Sequence, residues 1–298
     1  MNGYGPRRCG LLLADRLSGS SRAQARVVRM ALGVALAAAL GCAQSAAADE
    51  EPLWEIGVAA GYIDTPQYMG SDESYSLPLA IPYIIYRGDL LDIDREGARG
   101  WLFTGRRISL DLGFSFGLPV DNDNKARRGM PDIRLTGQVG PRLNVDLTAP
   151  DAPTAYSLHF PVRYTFDTAG KGLGWVAEPS LKVERKHLGD DGRWSARADV
   201  GFLYAGRRFN AYYYDVDAPY VTPQRPSYAS DSGLHSAFLH LSTEYAWDER
   251  LTLGAFARYR TLSPGVIDDS PLVKDPDYVT VGVGFAWSLW ESERRVSR

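Results

Sequence analysis

Cysteine is nearly missing from this chain: Cys9 and Cys42 are its only copies, and histidine is scarce, with 4 in 298 residues. Both cysteines lie in the stretch identified below as a leader. The processed chain would have none, which excludes disulfides, thiolate metal sites and a cysteine nucleophile. Long apolar runs are lacking too. After Ala48 the sequence never reaches the roughly 18 consecutive apolar residues that a transmembrane helix needs. A basic excess is absent, since the formal net charge is −3, and a nucleic-acid partner is therefore not expected. HExxH, the P-loop and the dinucleotide fingerprint are all missing after Ala48 as well.

The N-terminal stretch has a different character. Arg22, Arg26 and Arg29 precede ALGVALAAAL (31–40), and Ala46 and Ala48 stand just before Asp49. A basic segment, a short apolar run and an A-x-A site make a secretory signal peptide. The expected organisation is a leader over 1–48, with Met30 as an alternative start, and one β-barrel domain over 49–298 ending in a short charged tail. The leader holds six arginines and one acid, Asp15, so the processed chain keeps 27 basic and 35 acidic side chains, a net charge of about −8.

What fills the rest is alternation. In ISLDLGFSFG (108–117), Ile108, Leu110, Leu112, Phe114 and Phe116 alternate with Ser109, Asp111, Gly113, Ser115 and Gly117. A period of two means a strand with unlike faces. Similar stripes start at Trp54, Leu77, Ile133, Leu143, Tyr156, Trp175, Trp194, Ala237, Leu251 and Val279, and the stretch 91–103 divides into two short strands. Gly140-Pro141 reads as a tight turn. Many stripes are longer than the five or six residues usual for soluble strands, and aromatic residues such as Trp54, Tyr62, Tyr83, Tyr86, Trp194 and Tyr204 sit at their ends. The opposite face carries charge of both signs. The expected fold is all-β: an antiparallel transmembrane β-barrel of about 12 strands, with 10 as the alternative, in contact with outer-membrane lipid. The apolar stripes would face lipid and the polar faces a narrow or plugged interior.

Irregular polar segments fall at 63–76, 119–130, 186–192, 207–233 and 262–277. Within them, GYIDTPQYMGSDES (61–74), SLPLAIPYIIYRGD (76–89), RGMPDI (128–133), FNAYYYDVDAPYVTPQRPSY (209–228), LGAFARYRTL (253–262) and DSPLVKDPDY (269–278) together resemble the MipA/OmpV family of outer-membrane proteins. GFAWSL (284–289) is similar to the carboxy-terminal assembly signal of such barrels, although the charged tail 291–298 follows it. For the MipA branch, the resemblance implies a scaffold binding a lytic transglycosylase and a bifunctional, penicillin-binding murein synthase. Other members are adhesin-like surface proteins, or are linked to antibiotic susceptibility and osmotic response. A narrow channel for small solutes is the other alternative. The family brings no cofactor and no catalytic residues.

Candidate partner-binding residues are Tyr212, Tyr213, Tyr214, Asp215 and Asp217 in the first telling segment and Asp269, Ser270 and Pro271 in the second. Tyrosines are common interface anchors, but they also bury their rings while keeping hydroxyls hydrogen-bonded, so a structural loop folded over the barrel mouth is the favoured reading and a docking surface the alternative. His240, Ser242 and Glu244 share one strand face, and a base beside a hydroxyl is the minimal nucleophile arrangement. Their parity points them inward, away from any acyl substrate, so they are read as lumen lining and no catalytic residue is assigned. The acidic runs Asp121–Asn124 and Ser71–Glu73 lack the glycine and distal Glu of an EF-hand, and no metal site is assigned.

Overall fold

The computed structural model describes residues 50–88, 91–94, 97–121, 123–149 and 152–297; the leader expected over 1–48 lies outside them. In chain order the strands are β1 (Glu50–Pro52), β2 (Trp54–Pro66), β3 (Ser74–Arg87), β4 (Leu91–Asp94), β5 (Gly97–Thr104), β6 (Ile108–Gly117), β7 (Thr136–Asp146) and β8 (Thr154–Asp167). There follow β9 (Gly172–Ala177), β10 (Ser180–Leu188) and β11 (Trp194–Ala205). A short helix α1 (Arg207–Tyr214) and a 3-10 turn (Ala218–Tyr220) precede β12 (Gly233–Ala246), β13 (Leu251–Thr261), β14 (Asp277–Glu291) and β15 (Arg295–Ser297).

All pairings are antiparallel, and they run in a ring. Each strand from β2 to β8 pairs with the next. β8 then pairs with β9 through its upper half and β10 through its lower half, and β11 does the same from the other side. Thus β9 and β10 are one strand interrupted at Glu178-Pro179. β11 to β14 continue in order, and β14 returns to β2. Counted this way, twelve strands form the ring among the described residues. The charged tail adds a separate two-stranded ribbon, β1 with β15, beside it.

The ring has two unlike ends. Loops 67–73, 118–135, 168–171, 206–232 and 262–276 lie at one, while short turns at 105–107, 189–193 and 247–250 share the other with the β1–β15 ribbon. Outer-membrane barrels place short turns in the periplasm and long loops outside. The stripe of the opening alternation faces outward as expected: Phe116 is 76% exposed, whereas Asp111 is 0% exposed and points into the bore. Outward apolar side chains on the long strands make the lipid band; on β3 they are Pro78, Ala80, Pro82 and Ile84.

Three local expectations change. Gly140-Pro141 is not a turn. Both residues lie inside β7, whose register against β6 runs through them without a shift. A Cβ on Gly140 would lie 2.1 Å from the Val162 carbonyl oxygen, so the close approach of β8 is what requires glycine there. Segment 186–192 is irregular only in part, because β10 continues to Leu188 and the turn begins after it. The third change concerns β3. Its register pairs Leu77, Leu79, Ile81 and Tyr83 with Ile63, Gly61, Ala59 and Gly57 of β2. Residues opposite one another share a face, and in β2 the lipid face is Trp54, Ile56, Val58 and Tyr62. The stripe Leu77–Ile85 therefore faces the bore rather than lipid, and Tyr83 lies over Gly57 instead of serving in an aromatic girdle.

Candidate functional site

Apolar side chains that a soluble protein would bury in its centre are collected here at the long-loop mouth. Tyr68, Val120, Ile133, Phe209, Tyr213 and Tyr214, together with Leu262 and Ile267, form one buried cluster that packs on the upper ends of the strands. Ala126, Met130, Val216 and Leu272 form a second beside it. Four loops converge in this cap. RRFNAYYY becomes α1 because Phe209, Asn210, Tyr213 and Tyr214 recur at helical spacing and share one face, which turns inward. Arg207 and Arg208 stay exposed on the other side.

The cap is held by side chains that satisfy loop carbonyls. Tyr214 is 0% exposed; its hydroxyl donates to the Met69 carbonyl at 2.8 Å and lies 3.1 Å from His235 Nε2. Tyr68 donates to the Leu272 carbonyl at 2.7 Å, and Ser270 to the Tyr214 carbonyl at 2.9 Å. Arg127 donates to the carbonyls of Tyr213 at 2.7 Å and Pro131 at 3.2 Å. Arg225 joins the same loop through the carbonyls of Ala126 and Arg128. Burial raises the Tyr68, Tyr213 and Tyr214 hydroxyls above the usual tyrosine range and lowers the Arg127 guanidinium. Each of these loops is therefore fastened to another by buried or half-buried groups.

The sequence-derived candidates divide accordingly. Tyr213, Tyr214 and Ser270 are buried inside the cap and present no surface to a partner. Tyr212 is half-buried, its ring at 88° to that of Tyr213 and its hydroxyl accepting from the Arg134 N–H at 2.9 Å. Asp215 accepts from the Ser230 N–H and hydroxyl, both at 2.6 Å. Asp217 and Asp269 are exposed and Pro271 is partly so. The two acidic runs also belong to the cap. Asn124 donates to Gln67 at 2.8 Å, and Glu73 pairs with Lys125 Nζ at 2.9 Å. Hydrogen bonds from the Lys125 backbone and side chain hold the Glu73 carboxyl below its ordinary value. No group of potential metal-binding side chains occurs among the described residues.

Below the cap, the bore is polar on one wall. Glu178, turned into the bore at the break between β9 and β10, accepts from Arg163 and Arg260, each at 2.9 Å. Arg258 and Arg260 both stack over Phe238, at 5.3 and 5.1 Å from its ring centre. Asp111 binds Arg142 at 3.1 Å and Asn144 at 2.7 Å, and Glu184 pairs with Lys182 at 3.2 Å. His240 points inward as its parity requires, with Asp199 and Arg258 as cross-strand neighbours and its ring 5.6 Å from Phe256. It forms part of this charged wall. The sequence analysis missed the Pro179 break that brings Glu178 to the arginines; the only sequence signal was a proline after an acid in a strand-like run.

Residues 56–289 match the family model described as MltA-interacting protein MipA. The chain belongs to this family. The matched span takes in nearly the whole ring and all of the cap, and with the lipid-facing band it places the protein in the outer membrane. No curated protein matches the chain. Among solved structures, it is similar to OprB of Pseudomonas putida, with 14% identity over 64% of this chain and 47% of that one and a TM-score of 0.34. It is also similar to OmpT of Vibrio cholerae, with 12% identity over 82% and 62% of the two chains and a TM-score of 0.30. A bacterial polysaccharide outer membrane secretin matches with 10% identity over 81% and 100% and a TM-score of 0.37. The chain spans about half the length of OprB.

Proposed function

We propose that this MipA-family barrel is a non-enzymatic outer-membrane scaffold that holds a lytic transglycosylase and a penicillin-binding murein synthase together at the cell wall. The observation that carries this reading is the capped mouth. A barrel whose long-loop end is filled by a buried, hydrogen-bonded cluster is poorly suited to axial conduction and well suited to being a fixed anchor. The family description, MltA-interacting protein, supports the murein-enzyme side. Murein lies in the periplasm, so the docking face on this reading is the end bearing the short turns and the β1–β15 ribbon. The candidate set Tyr212–Asp217 and Asp269–Pro271 lies at the opposite end, where it builds the cap and leaves Asp217 and Asp269 for external contacts.

Crosslinking of intact envelopes followed by mass spectrometry tests this. Joint recovery of a lytic transglycosylase and a murein synthase, with crosslinks to the turns 189–193 or 247–250, is the expected result. Repeated absence of both enzymes overturns the proposal. Uptake of small solutes by liposomes carrying the purified protein would favour a channel instead.

A further inference from the structure

The barrel wall is incomplete in one place. β4 and β5 are 4 and 8 residues long, whereas β3 has 14 residues and β6 has 10. β4 pairs with β3 only at Tyr86 and Arg87, and β5 climbs β6 no further than Gly113. Above that level, among the described residues, 74–85 of β3 pair with β2 alone, and 114–117 of β6 pair with β7 alone. The opening lies at membrane depth, because the register sets this part of β3 beside Ile56, Val58 and Tyr62 of the lipid band. It is roofed at the mouth, where the Tyr75 hydroxyl donates to the Pro119 carbonyl at 3.1 Å and Lys125 meets Glu73.

The chemistry of its edges indicates what would occupy it. Pro78 and Pro82 sit within the β2–β3 ladder, opposite Tyr62 and Val58, without a shift of register. Their nitrogens must therefore point away from β2, so each removes a donor from the open edge and discourages an added strand. The inner face beside the opening is apolar and hollow. Leu79 and Ile81 are 45% and 55% exposed although they point into the bore. Gly113, the last residue of β6 to pair with β5, carries no side chain into the bore, and among the described residues a Cβ there would meet nothing closer than 3.9 Å. Outside, Phe114 and Phe116 are exposed to lipid at the same edge. Apolar surface thus continues from the membrane into the bore, beside backbone groups of β3 that have no partner strand among the described residues. Unpaired backbone at membrane depth is tolerated where it borders a cavity that supplies polar partners.

We propose that this opening is a lateral port, through which a membrane amphiphile passes its acyl chain into the bore against Leu79 and Ile81 while its polar group meets the free edge of β3. The port is independent of the scaffold role. It is tested on the full processed chain, which lacks cysteine, in phosphatidylcholine vesicles. Nitroxides are attached at Leu79→Cys and Ile81→Cys, with Val58→Cys as the lipid-face control and Ser242→Cys as the control on the far inner wall. Collision with oxygen, which partitions into lipid, is compared with collision with a water-soluble nickel chelate. The expected oxygen-to-nickel ratio at both inner β3 positions is several-fold above that at Ser242→Cys and near that at Val58→Cys. Adding Gly113→Phe to fill the space should return it toward the Ser242→Cys value. A ratio at Leu79→Cys and Ile81→Cys equal to that at Ser242→Cys overturns the port. Efficient disulfide dimers of Ala80→Cys, on the open edge, would overturn it in favour of a strand-to-strand contact between two copies.

Discussion

Single side chains in the cap carry unusual responsibility, because each fastens a loop that no strand holds. Tyr214 is the strongest case, with its ring in the buried cluster and its hydroxyl on the Met69 carbonyl. Tyr214→Ala removes a fully buried aromatic and should destabilise the cap by about 3–5 kcal/mol. Faster tryptic cleavage in loops 118–135 and 206–232, with the barrel's heat-dependent gel shift unchanged, would confirm that the loss is local. Tyr68 and Tyr214 also set a pH limit. A tyrosine free in the unfolded chain ionises near a pH of about 10. Burial raises both in the folded protein, and both must stay protonated to donate. Their contribution is complete below that pH and is lost as pH rises through their folded values. Alkaline titration followed by tyrosinate absorbance should show these groups ionising late, together with loss of protease resistance in the cap. In the bore, Glu178→Gln leaves Arg163 and Arg260 without their shared anion. Removing one member of a buried ion pair costs about 3–5 kcal/mol, so the heat-modifiable band should convert at a clearly lower temperature.

At the scale of elements, parity alone did not settle which face of a strand meets lipid. β3 shows why. Both of its faces are apolar over residues 77–85, with Leu77, Leu79, Ile81 and Ile85 on one and Pro78, Ala80, Pro82 and Ile84 on the other. A stripe counted on hydrophobicity selects the leucines, whereas pairing with β2 turns them inward. β7 gives a second lesson. Gly-Pro is a common turn signal, yet here the glycine admits a close neighbouring strand and the proline lies in the β6 register. Gly140→Val should therefore block the β7–β8 contact and lower the yield of folded barrel, measured as the heat-modifiable fraction after refolding. The same change at Gly113, where a Cβ meets no described atom closer than 3.9 Å, should have a smaller effect.

For the whole molecule, the distribution of burial inverts that of a soluble domain: the strands show their apolar side to lipid and their charges to the bore, and the densest apolar packing sits in loops at one mouth. On this arrangement the intact protein should conduct weakly in planar bilayers. Replacing residues 209–231 with a short glycine-serine linker removes α1 and its tyrosines from the mouth. Conductance should then rise several-fold, limited by the charged wall around Glu178. Large stable conductance in the intact protein would show that the cap does not seal the bore.

Length, parity, aromatic placement and the want of apolar helices were enough to specify an exported antiparallel barrel of about twelve strands, because a strand between lipid and water must alternate in sequence. The charged lining was legible for the same reason. The tyrosine segment was recognisable as unusual, but its seat in the cap depends on Met69, His235 and Ser270, which lie well away along the chain. The inward turn of β3 and the gap beside it depend on partners as well. Hydrogen-bond register between neighbours is a property of pairs of strands, and no single stretch of sequence contains it.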